Sequence, residues 1–298
     1  MKGDDGVFLC NLCPRECSID RTSHKGFCQA PELPMIARAA PHFGEEPCIT
    51  GTRGSGTVFF SGCNLRCVFC QNHEISRGKQ GKTVSVSRLR DIFHELQDLG
   101  VHNINLVTPS HYARAVSDAL EIADLQIPVA WNSSGYDSVE TLKMLEGKIQ
   151  IYMPDFKYSD PVLAKTYSAA ADYPTIAQAA ITEMYRQTGP YQMNNEGILQ
   201  KGILVRHLIM PGKPTNSKGV IDTVTKLLPK GSFLFSLMSQ YTPMPNLEAY
   251  PELQQTVSPA LADFCYRYMI KQGIEDGYYQ DPSSATDEMI PDFDCTGV

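Results

Sequence analysis

Residues 57–72 read TVFFSGCNLRCVFCQN. A short apolar run of strand character, TVFFS (57–61), leads straight into a loop carrying Cys63, Cys67 and Cys70. The spacing is C-x3-C-x2-C, with Phe69 just before the last cysteine. Thiolates are soft ligands that select zinc, copper(I) or iron–sulfur clusters, and a loop this short lets three sulfurs face one centre. Structural zinc sites are closed by four protein ligands, whereas catalytic metal sites keep a position open. His73 is the nearby fourth ligand if the metal is zinc.

The pattern around this loop sets the fold class. Residues 86–100 carry apolar positions at helical spacing and stop at Gly100. NINLV (103–107) then reads as a strand, 112–123 as a helix, IPVAW (127–131) as a strand, and 137–147 as a helix capped by Asp137. IQIYM (149–153) is a strand, followed by two helices over 159–171 and 175–188 that are split at Pro174. ILVRHLIM (203–210), a helix over 217–228, FLFSLM (233–238) and a helix over 257–272 complete the series, and GYYQ (277–280) extends an edge. Strand and helix alternate about six times. This predicts an α/β protein with a parallel sheet and right-handed crossover helices. In such sheets ligands bind beyond the carboxyl ends of the strands.

Residues 1–50 are different. Pro14, Pro31, Pro34, Pro41 and Pro47 interrupt them, and they read as a small irregular region that needs a staple. The chain has ten cysteines, and the bunching of seven of them in two groups points to metal rather than to disulfides in a reducing compartment. One group is the loop; the other is Cys10, Cys13, Cys17 and Cys28. Four thiolates fit tetrahedral zinc and a fully ligated iron–sulfur cluster equally well. His24 can replace one sulfur on zinc, and Cys48 is near enough in sequence to compete.

A hydrophobic content of 42% suits a globular core, and a net charge of −7 argues against non-specific nucleic-acid binding. No targeting segment and no apolar stretch of about 20 residues is seen, so a cytoplasmic location without a membrane span is expected.

The loop, placed at the end of the first strand of a β/α array, resembles the signature of the radical S-adenosylmethionine (SAM) superfamily. The wider stretch HFGEEPCITGTRGSGTVFFSGCNLRCVFCQN (42–72), with MPDFKYSD, VRHLIMPG, SLMSQYTP and PDFDCTGV, is similar to the branch of pyruvate formate-lyase activating enzyme-like proteins. The resemblance implies a partial (β/α)6 barrel over 51–280, a cysteine-rich metal-binding region over 1–50 and a tail over 281–298. It implies that Cys63, Cys67 and Cys70 hold three irons of a [4Fe–4S] cluster whose fourth iron is left to SAM. Reductive cleavage of SAM to a 5′-deoxyadenosyl radical, anaerobic chemistry and hydrogen abstraction follow. The implied partners are a low-potential electron donor such as flavodoxin or ferredoxin, and a glycyl-radical enzyme or another protein or peptide substrate. Modification of a small molecule, or a non-catalytic iron–sulfur electron carrier, are the alternatives.

Where the family carries Gly-Gly-Glu after the second strand, this chain reads LVTPSHYA, so Thr108, Ser110 and His111 stand in as SAM-binding candidates. Asn132, Ser133 and Ser134 match the polar groups after the third strand. Asp155 and Lys157 match an Asp-x-Lys segment. Arg206 and His207 point to opposite faces of one strand, and His207 is the expected inward residue. Val58, Phe59 and Phe69 are expected near the cluster, keeping its potential low. Glu45 and Glu46 read as an acidic pair in a loop, and Asp281, Asp287, Glu288, Asp292 and Asp294 as a solvated tail or a lid.

Overall fold

The structure is a computed structural model that describes residues 9–280 and 290–298. Seven parallel strands form its frame. They are β2 (Ser55–Phe60), β4 (Ile104–Val107), β5 (Val129–Ser133), β6 (Ile151–Pro154), β8 (Leu199–Leu208), β9 (Leu234–Met238) and β10 (Gly277–Gln280). All neighbours in that series pair in parallel. Antiparallel β1 (Met35–His42) and the two-residue β3 (Lys82–Thr83) complete the β2 side, and β7 (Gln192–Met193) pairs with β8. Among the described residues the first and last strands of this order do not meet, so the barrel is open.

The crossovers are α3 (Val86–Asp98), α4 (Ala113–Glu121), α5 (Val139–Met144), the pair α6 (Pro161–Ser168) and α7 (Tyr173–Thr188), α8 (Pro214–Leu227) and α9 (Pro259–Lys271). Short helices α1 (Pro47–Thr50) and α2 (His73–Ser76) flank β2 and the cysteine loop. The predicted α/β fold, six strand–helix units with β10 extending the edge, is the fold observed.

Helix α3 shows how sequence sets these elements. Ser85 caps it by accepting from Arg88 N at 3.1 Å. Leu89, Ile92, Phe93 and Leu96, at helical spacing, are buried against β2 and β4. Each such side chain contributes roughly 1.5–3 kcal/mol on burial. The cap of α5 is Ser138, which accepts from Thr141 N at 3.2 Å, and not Asp137. Asp137 is buried instead, where Ser110, Ser133 and Trp131 donate to it.

Alternation along the strands sorts the core into two layers. Val58, Phe60, Leu106, Trp131, Tyr152, Val205 and Phe235 face the helices. Ala130, Ile151, Met153, Leu204 and Leu234 form a separate cluster inside the barrel, with Cys48 and Ile49 of α1. The chain segment 45–50 therefore fills the interior, although the sequence reads it as a loop.

The sheet also takes in residues 35–42, which the sequence reads as irregular. Of the tail, residues 290–298 run along β1, with Ala39 N donating to Thr296 O at 2.8 Å and Cys295 N to Ala37 O at 2.9 Å. Phe293 packs edge-on against Phe59. Asp281, Asp287 and Glu288 lie outside the described residues. No helix among the described residues is long and apolar enough to cross a membrane.

Candidate active site at the cysteine loop

Strand β2 ends at Phe60, and Gly62 makes the turn that starts the loop. Its φ of +88° favours glycine, and a Cβ there would lie 2.7 Å from Cys28 O and 3.2 Å from His111 Nε2. The cysteine loop thus sits directly on the backbone of the N-terminal cysteine region. Arg15 ties the two together: its Nε donates to Asn64 O at 2.8 Å, Nη1 to Ala169 O at 2.6 Å and Nη2 to Ser168 O at 3.1 Å. Asn64 Nδ2 reaches Tyr136 O at 2.8 Å, and Val68 N reaches Tyr167 O at 2.9 Å.

Cys67 is buried, and Cys63 and Cys70 are half-buried. Leu65 N donates to Cys63 Sγ at 3.4 Å, and Ser168 Oγ to Cys67 Sγ at 2.9 Å. Tyr158 OH holds that serine at 2.7 Å. Burial pushes the Cys70 thiol up to about 12 and raises that of Cys67, which the nearby Lys157 ammonium opposes. Phe69 is buried with its ring 6.1 Å from Tyr241. Val58, expected beside it, faces the helix layer instead, and Phe59 joins Ala37, Ile75 and Val107 in a small separate cluster. His73 is exposed at the start of α2.

The interior of the barrel carries a chain of alternating charges. Lys157 Nζ lies 2.6 Å from Asp155 Oδ2. Asp155 Oδ1 lies 3.0 Å from Arg206, whose other nitrogens reach Glu45 Oε2 at 3.1 Å and Asn132 Oδ1 at 2.6 Å. Asn132 and Asn105 both donate to Glu45 Oε1, at 3.1 and 3.0 Å. Glu46 is buried 4.0 Å from the same guanidinium. Burial drives the Glu46 carboxyl up against the pull of Arg206. Asp155 moves the other way: burial raises it, but Lys157 and Arg206 together hold it below the usual carboxylate range. Tyr173 OH donates to Asp155 O at 2.7 Å and Ser134 O at 2.8 Å, which fixes the turn between them.

Of the sequence-predicted residues, Asn132, Asp155 and Lys157 meet in this network. The hydroxyls of Ser110 and Ser133 are committed to Asp137. Thr108 adopts a φ of 58°, rare for a β-branched residue, with its N–H on Asn132 O at 2.8 Å. His111 lines the recess of the N-terminal cysteines and donates from Nε2 to Ser61 O at 2.8 Å.

His207 is a correction. Arg206 faces the interior, so His207 faces the helices, with Nδ1 2.7 Å from Phe156 O and Nε2 2.9 Å from Ser217 Oγ. Sequence alternation could not choose between them, because a doubly covered parallel strand is apolar on both faces. Its burial depresses the imidazole to about 4. The folded protein therefore keeps His207 neutral at pH values where the unfolded chain, titrating near 6.5, takes up a proton. Its stabilising contribution is full above about pH 6.5 and is lost as pH falls toward 4, by up to about 3 kcal/mol in total. Urea titrations at pH 7 and 4.5 should show a larger loss for the wild type than for His207→Gln; equal losses would refute this assignment.

Glu45, Glu46 and Arg206 were missed from sequence as site residues. The adjacent acids before Pro47 and the Arg-His pair were the available signals.

The donor set suits the implied cofactors. Three thiols share one short loop, two of them accepting hydrogen bonds at sulfur. At the C-terminal ends of β9 and β10 the buried acceptors Gln240 Oε1 and Gln280 Oε1 have no partner among the described residues, which suits a donor-rich ligand such as SAM. Among the described residues no three Cys, His, Asp or Glu side chains converge on a single ion.

An α/β barrel whose first parallel strand delivers three cysteines to its carboxyl end defines a class. Residues 57–172, from β2 to the start of α7, match the family model of the radical SAM superfamily. An uncharacterized protein of Methanocaldococcus jannaschii is 27% identical over 259 residues, covering 84% of this chain and 70% of the relative. The fold matches that of Streptococcus suis SuiB with a TM-score of 0.51 at 13% identity, over 74% of this chain and 47% of SuiB. SuiB bound to S-adenosylmethionine matches at 0.50 and 12%, over 76% and 50%, and SuiB bound to its precursor peptide SuiA at 0.50 and 12%, over 77% and 49%. The chain spans about half the length of these solved structures.

Proposed function

We propose that this chain is a radical SAM enzyme that abstracts hydrogen from a polypeptide, the backbone glycine of a glycyl-radical enzyme being the specific substrate. The observation that carries the reading is the loop itself: Cys63, Cys67 and Cys70 at the carboxyl end of β2, with the Lys157–Asp155 ion pair next to Cys67. When bound, a [4Fe–4S] cluster with SAM supplies reductive cleavage to a 5′-deoxyadenosyl radical. The protein's part is holding and shielding. Cys63, Cys67 and Cys70 would hold the cluster. Leu65 N–H and the Ser168 hydroxyl place hydrogen bonds on two of its sulfurs. Lys157, Asp155 and Asn132 would hold the charged amino-acid end of SAM, with Arg206 and Glu45 locking Asp155 and Asn132 in place. Phe69 and Tyr241 keep water from the loop.

The peptide substrate is supported by the similarity of 42–72 to activating-enzyme-like proteins, and by a protein of this fold having been solved with a precursor peptide. The test is anaerobic. Reconstituted protein given reductant, SAM and a peptide deuterated at glycine Cα should release 5′-deoxyadenosine carrying deuterium and give a glycyl-radical EPR signal. Deuterium arriving only from another position would sink the glycine reading. No 5′-deoxyadenosine from a reducible cluster would sink the enzyme reading and favour an electron carrier.

A further inference from the structure

The N-terminal region holds a second site that the proposed chemistry does not use. Cys10, Cys13, Cys17 and Cys28 line one recess together with Arg21 and His111, in a cavity of about 10 Å³. The recess is built by local turns: Cys10 N bonds to Ile19 O and Ser18 N to Cys10 O, each at 2.9 Å. Gly26 packs close beside it: a Cβ there would lie 3.0 Å from Cys17 Sγ.

Among the described residues, three buried polar groups around the recess are left incomplete. Arg21 is 7% exposed, and among the described residues no carboxylate lies within ion-pair distance of it. Its Nη groups donate to His111 O and Pro31 O, Nη1 lies 4.0 Å from Cys10 Sγ, and Nε has no partner. His111 is 2% exposed; Nε2–H is spent on Ser61 O, and Nδ1 has no partner. Tyr112 OH, below the Arg21 guanidinium, is also unpartnered. A buried cation without a counter-ion is costly. Metal thiolates carry net negative charge that balances it.

We propose that this recess is a closed site for one soft metal ion, zinc by its chemistry, which takes four donors from Cys10, Cys13, Cys17, Cys28 and His111 Nδ1, with Arg21 as the built-in counter-charge. A tetrahedral d10 ion with thiolate and imidazole ligands has this donor preference. Binding requires the thiols to rotate inward, since no three converge in the present geometry. The site also underlies the cluster loop. Cys28 O abuts Gly62, His111 holds Ser61 O, and Arg15 holds Asn64 O. The ion therefore acts as a clasp for the platform on which Cys63 stands.

The test uses the full chain carrying Cys63→Ala, Cys67→Ala and Cys70→Ala, so that only the second site offers clustered thiols. Titration with cobalt(II) should give one equivalent with the intense visible bands of tetrahedral thiolate coordination, displaced by one equivalent of zinc. Adding Arg21→Gln should weaken zinc binding by about 10–100-fold, the usual effect of removing a supporting group. Weak octahedral cobalt bands, or zinc affinity unchanged by Arg21→Gln, would overturn the proposal. So would a brown iron–sulfur chromophore forming there with iron and sulfide in preference to zinc. A second measurement avoids the triple variant: wild-type protein bearing its cluster should contain one zinc per chain with sulfur-rich X-ray absorption. Cys13→Ala should lose that zinc and keep its iron, and zinc-free wild type of full iron content would equally refute the site.

Discussion

Replacing Cys67 with alanine is expected to reduce 5′-deoxyadenosine release to background while leaving the fold intact. Cys67 is the middle cysteine of the loop, and its sulfur is the one that Ser168 Oγ reaches at 2.9 Å. Alanine removes a third of the loop's thiols. The stability cost is modest, because one sulfur and one hydrogen bond are lost, about 1–2 kcal/mol. The measurements are iron content, 5′-deoxyadenosine by chromatography and the urea midpoint. Cys265→Ala is the control: Cys265 is also buried but sits on α9 in the helix layer, so its loss should leave release unchanged. Sustained release from the Cys67 variant would defeat the assignment of this loop.

Arg206→Met is expected to be the most destabilising single change in the barrel interior. The guanidinium joins Asp155, Glu45 and Asn132, with Glu46 at 4.0 Å. Methionine keeps much of the volume but strands the carboxylates. Breaking a buried pair from one side costs about 3–5 kcal/mol, because the remaining charge is left uncompensated. Urea unfolding should show that loss, and Glu45→Gln in the same background should recover part of it, the two residues being directly coupled. A change within about 0.5 kcal/mol, as for an ordinary surface site, would mean that the charges are solvated and that the network does not hold Asp155 in place.

The parts of the molecule legible in sequence were those set by near neighbours. Strands such as NINLV and IPVAW are apolar runs between amphipathic helices, and both lie within two residues of where they were read. The cysteine loop is local as well. Strand β1 escaped notice because MIARAAPH carries small residues and a proline. Its partner β2 supplies the pairing that its own propensity does not. The interior charges escaped for a different reason. Glu45 and Arg206 stand 161 residues apart, and nothing in either segment records the other. His111 follows a strand as binding residues do, yet its ring is claimed by Ser61 and the N-terminal recess.

The run of residues 290–298 beside β1 has a bearing on how copies of this molecule meet. Residues 35–36 of β1 are paired with β3, and 37–39 are taken by the backbone of 295–296. An incoming strand therefore finds that rim of the sheet already satisfied, which is one of the ways proteins suppress edge-to-edge aggregation. Among the described residues no strand pairs with the outer side of β10. Strand pairing between molecules, where it occurs, is thereby turned away from the β1 rim.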